Sequence, residues 1–86
     1  MIIIRDNGTY ETVDIFETVG DFKCYIFSYL VEMEEGMLAN GLIKEEDVKF
    51  QNKNISFQTQ LNEYLSINNE YEIIVNPRNL YISGGV

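Results

Sequence analysis

Apolar and polar positions change their spacing several times along the chain, and each change marks an element. Residues 1 to 5, MIIIR, and 10 to 17, YETVDIFE, flank Asn7-Gly8, a dipeptide whose tolerance of positive φ suits the tight turn of a β-hairpin. In the second strand Val13 and Ile15 alternate with Thr12, Asp14 and Phe16, which predicts one buried and one largely solvated face. The period then lengthens. Phe22, Ile26, Leu30, Met33 and Met37 recur at steps of three and four, placing them on one face of a helix over about 19 to 38 and leaving Lys23, Glu32, Glu34 and Glu35 to water. Thr18 or Asp21 suits its start, and Asn40-Gly41 its left-handed end.

After KEED, the run VKFQNKNI at 48 to 55 puts Val48 and Phe50 on one side and predicts a strand leading into a polar turn at Asn52-Lys53-Asn54, or a very short strand near Ile55. TQLNEYLSI at 59 to 67 predicts one or two helical turns with Leu61, Tyr64 and Leu65 inward. Tyr64 fits a packing aromatic whose hydroxyl finds a backbone partner. EYEIIVN at 70 to 76 is rich in β-formers and predicts the last well-paired strand, which Pro77 stops because it lacks a donor. A single domain over residues 1 to 77 is expected, followed by a flexible tail at 78 to 86. The fold class this order predicts is α+β: a mixed sheet of four to five strands with one long helix packed on one face, the β-grasp arrangement. A right-handed crossover through the helix would set the first and last strands side by side in the middle.

Composition narrows the chemistry. At 86 residues the chain has the length of one domain, and 45% hydrophobic with 13% aromatic residues is enough for a packed core. Cys24 is the single cysteine and histidine is missing, so an internal disulfide, His-based acid–base work, nucleophilic triads and His-ligated metals are excluded. No catalytic residue, metal or cofactor is expected. MIIIRDNG is too short for a signal-peptide core or a membrane span, so the reading is a cytoplasmic monomer without membrane attachment. Fourteen acidic against six basic residues give a net charge of −8, which repels nucleic acid and either aids solubility or steers a basic partner.

The chain then resembles ubiquitin and its relatives over nearly its full length. The resemblance rests on the hairpin directly after Met1, on TVGDFK at 18 to 23 as the helix start, on VKFQNKNI at 48 to 55, on LNEY at 61 to 64, and on YEIIV with a tail ending Gly84-Gly85-Val86. It implies a ubiquitin-like protein modifier, processed after Gly85 by loss of Val86 and joined through the Gly85 carboxylate to amines of target proteins. Its partners would be dedicated activating and conjugating enzymes and a processing protease, and the chain itself would be no enzyme. Two departures accompany the likeness. Lys49 stands where the family carries an exposed apolar patch, and the tail lacks basic residues directly before its glycines, so Arg78, Leu80, Tyr81 and Ile82 would have to be read instead. Two alternatives share the residues: a β-grasp sulfur carrier with a C-terminal thiocarboxylate, and a non-covalent acidic β-grasp adaptor or inhibitor. Lys23, Lys44, Lys49 and Lys53 read as surface charges or as self-conjugation sites, and Cys24 as an inert thiol.

Overall fold

The computed structural model describes residues 1–51 and 54–75. Its first strand, β1 (Ile2–Asp6), lies in the middle of a three-stranded sheet, between β2 (Thr12–Phe16) and β3 (Tyr71–Val75). The rest is a long helix α1 (Val19–Ala39), a 3₁₀ turn at Glu45–Asp47 and a shorter helix α2 (Phe57–Ile67). The fold is therefore α+β with a long helix against one face of a sheet, as the pattern predicts. Both pairings of β1 are antiparallel, so among the described residues the sheet has three strands and is not mixed.

The reason lies in α2. It returns the chain to the hairpin end of β1, where the Asn7 N–H donates to the Glu70 carbonyl at 2.8 Å. β3 starts there, opposite Asp6, and runs back until Val75 faces Ile2. First and last strands are neighbours as expected, but among the described residues β3 forms an edge. The strand expected around Val48 and Phe50 does not form: Val48–Gln51 is irregular backbone, although both side chains are buried.

The hairpin also differs from its sequence reading. Asp6 Oδ1 accepts the N–H groups of Gly8 and Thr9 at 2.8 and 3.0 Å, an Asx-type turn, and the Tyr10 N–H closes a wider loop on the Asp6 carbonyl at 2.8 Å. The left-handed residue is Tyr10, at φ 62°, rather than Asn7 or Gly8. Farther on, the pairing steps from Ile4↔Asp14 to Arg5↔Thr12, a β-bulge that leaves Val13 without a partner.

Register decides which face is buried. Ile2 pairs with Phe16 and Ile4 with Asp14, so Phe16 shares the α1 side with Ile2 and Ile4, while Val13 and Ile15 point away and are 41% and 52% exposed. The alternation in β2 is real, but the buried apolar residue is Phe16. Against this side α1 lays Phe22, Ile26 and Leu30, and Phe50 and Tyr64 complete the core. Rings dominate it: Phe16 lies 5.4 Å from Phe22 and 5.0 Å from Tyr25, and Tyr29 meets Tyr64 edge-on at 4.9 Å, a favoured aromatic geometry. Burial, and next a hydrogen bond with Tyr25, push the Tyr64 hydroxyl far above the ordinary tyrosine value, so it stays protonated.

Local signals hold the helix ends where the sequence places them. The Thr18 hydroxyl accepts the Asp21 N–H at 3.1 Å, the Asn40 side chain donates to the Gly36 carbonyl at 2.8 Å, and Gly41 takes φ 71°, a conformation that favours glycine. Ser56 caps α2 through the Thr59 N–H, so that helix begins two residues before the expected position. Phe16→Ala should lower the free energy of unfolding by about 3–5 kcal/mol through lost burial and a cavity, whereas Ile15→Ala should change it by no more than about 0.5 kcal/mol. Urea titration of both variants checks this, and a larger loss for Ile15 would reverse the assignment of faces.

Candidate functional site

Two surfaces bear features that the core does not explain. The first is a cavity of about 160 Å³ beside the C-terminal half of α1. Its apolar walls are Met33, Met37, Ile43 and Phe50, and its polar groups are Glu34, Asp47, Lys49 and Glu63. Three carboxylates against one ammonium leave its lining negative.

Glu34 organises this region. It follows Phe22, Ile26 and Leu30 at steps of four, and like them it is buried, at 4% exposure. The sequence reading left it to water, which the structure corrects. Its Oε2 accepts the Lys49 N–H at 2.8 Å, and both oxygens share the Phe50 N–H at 3.1 and 3.2 Å. A buried carboxylate needs such donors, and the irregular segment around Phe50 needs an acceptor because it has no strand partner. The signal available in the sequence was the four-residue stripe running on into Glu34. Its acceptor role depends on backbone fifteen and sixteen residues away, which periodicity does not reveal.

The second surface is the sheet face turned away from α1. Ile15, Ile3 and Ile74 stand in register across the three strands. Ile15 is exposed and the other two are half-buried. Next to this apolar row, Arg5 donates through Nε and Nη2 to the Glu72 carboxylate at 2.9 and 2.8 Å, and Tyr10 lays its ring 5.1 Å from the guanidinium carbon. The charges of the face are thereby paired, leaving an apolar strip beside a neutral ion pair.

The residues singled out from the sequence fall elsewhere. Arg78, Leu80, Tyr81, Ile82, Gly84, Gly85, Val86 and also Lys53 lie outside the described residues. Lys44 and Lys49 are exposed, and Lys23 sets its ammonium 5.3 Å from the Phe57 ring centre rather than on an acidic neighbour. Cys24 is exposed and free. Among the described residues no group of three or more Cys, His, Asp or Glu is arranged to hold a metal ion, and no helix is long and apolar enough to cross a membrane. Comparison with protein-family models, with curated proteins and with solved structures finds no match to this chain.

Replacing Glu34 by alanine strands two backbone donors and should cost about 2–3 kcal/mol of stability, with Glu34→Gln about half as costly because one carbonyl oxygen remains. Hydrogen exchange should then show faster exchange at the Lys49 and Phe50 amides. Unchanged protection at both would refute the clamp.

Proposed function

We propose that the chain is a non-covalent, acidic protein-binding module that docks a basic partner on the outer face of its sheet. The observation that carries this reading is the row Ile15, Ile3 and Ile74 on the sheet face that, among the described residues, no other element packs against. Contiguous apolar surface with a polar rim marks interaction sites more often than scattered exposed residues do. The rim supplies the sign: Glu11, Glu17 and Glu70 are exposed beside the ends of β2 and β3, while the face's own cation, Arg5, is spent on Glu72. A partner with an apolar strip flanked by lysines or arginines complements that surface. A second copy does not, because each copy brings a charge of −8. Face docking also suits β2, an edge strand among the described residues, where the bulge at Val13 breaks the regular ladder that strand addition requires.

The conjugated-tail reading rests on Gly84-Gly85-Val86, outside the described residues. The antiparallel pairing of β1 with β3 departs from the mixed β-grasp sheet common to all three readings, and the non-covalent reading is supported instead by the row of isoleucines and the acidic rim.

A photo-reactive residue at position 15, with one at the exposed position 36 on α1 as control, tests the proposal in the native cell. Crosslinks should form from position 15 only, to a basic protein. They should weaken with salt in extracts and survive deletion of residues 83 to 86. Crosslinks between copies of the chain, equal yield from both positions, or a requirement for the last four residues would overturn it. In the last case the mass of the C-terminus, cut after Gly85 or carrying sulfur, decides between modifier and carrier.

A further inference from the structure

The cavity beside α1 lies away from the sheet face and calls for its own explanation. Its volume of about 160 Å³ compares with the roughly 150 Å³ cavity that accepts a single benzene, so it holds one side chain and little more. A purely apolar occupant would make no use of the Asp47 or Glu63 carboxylate in the lining, whereas Asp47, whose Oδ2 accepts the Lys44 N–H at 3.0 Å, still has its other oxygen for a cation. Asp47 is exposed and Glu63 half-buried, so a cation can reach both from solvent. Glu34 is fixed by the Lys49 and Phe50 amides and adds a third negative charge in the lining. The walls, in contrast, are the flexible thioethers of Met33 and Met37, with Ile43 and Phe50, and methionine adapts readily to the methylenes of a long side chain.

We infer that this cavity binds one arginine side chain of a partner polypeptide, its stem against Met33, Met37 and Ile43 and its guanidinium between Asp47 and Glu63. Arginine fits better than lysine because its planar fork spans two carboxylates, whereas an ammonium is a compact, strongly hydrated point charge. Lys49, the single cation of the lining, opposes the ligand and sets a limit on its affinity. The sheet face and the cavity are made of different residues, so either site stands if the other fails.

The test is a titration of the full ¹⁵N-labelled chain, followed by amide NMR, with three capped tripeptides: glycine-arginine-glycine, its citrulline counterpart and its lysine counterpart. The arginine peptide should give saturable shifts centred on Lys49, Phe50 and Glu63. Citrulline, with the same shape and no charge, should give none, and lysine should bind more weakly. Glu63→Gln should weaken arginine binding about threefold to fivefold, the effect of losing one partly exposed ion pair, and Lys49→Gln should tighten it by a similar factor. Equal shifts from citrulline, equal binding by lysine, shifts spread over the acidic surface without saturation, or no effect of Glu63→Gln would each overturn the assignment. The spectrum of each free variant, unchanged away from the substituted residue, separates a lost contact from a lost fold.

Discussion

β1 is the constraint on which the rest depends, because among the described residues it is the one strand with a partner on each side. Its register is set twice, by Ile2 opposite Phe16 and by Ile2 opposite Val75. A slip of one residue in either pairing would turn every side chain of the slipped strand to the other face. Ile2 and Ile4 toward α1 fix the stripe of Phe22, Ile26 and Leu30 that α1 must present, and Tyr64 is then the part of α2 that fits against those rings. The same register gives the opposite face its row of isoleucines. Core and outer surface are thus two consequences of one pairing.

A second dependence runs through Glu34. In a sheet of four or five strands, the backbone around Phe50 would find its acceptors on a neighbouring strand. Here a helix carboxylate supplies them. That substitution explains how Val48 and Phe50 are buried without a ladder, and why a charge is tolerated in a small core: its donors are oriented backbone dipoles. The cavity lies beside this contact, lined by Met33 and Met37 of the helix and by Lys49 and Phe50 of the anchored segment.

Much of this architecture is legible in the sequence wherever the signal is local. α1, its Thr18 cap and its Gly41 stop follow from a 3.6-residue period and from side chains bonding to the nearest turn; β3 follows from its run of β-formers. What is not legible is whatever depends on a distant partner. Val13, Ile15 and Phe16 are all apolar, so β2 offers a plausible buried face in either parity, and β1 alone decides between them. The direction of β3 is settled by the length and course of α2, and the burial of Glu34 by amides in another segment. The cavity shows the same division: its methionines were readable as a helix face, while the acidic residues beside it carry no mark that separates them from solvated charge.

The excess of acidic residues also bears on how a sheet face carrying a row of isoleucines, bare among the described residues, avoids self-association. A three-stranded sheet with isoleucines on its open face and edges at β2 and β3 is a template for self-association. The bulge at Val13 interrupts one edge strand, and the half-exposed Arg5–Glu72 pair occupies the face without adding net charge. Those features act at short range only. A net charge of −8 acts earlier, during approach, and it penalises encounters between copies in proportion to the product of their charges while favouring a basic partner by the same Coulomb term. Repulsion of self and attraction of a cationic partner are therefore one property. It needs no dedicated residue, because the Coulomb term depends on the net charge and not on any one contact.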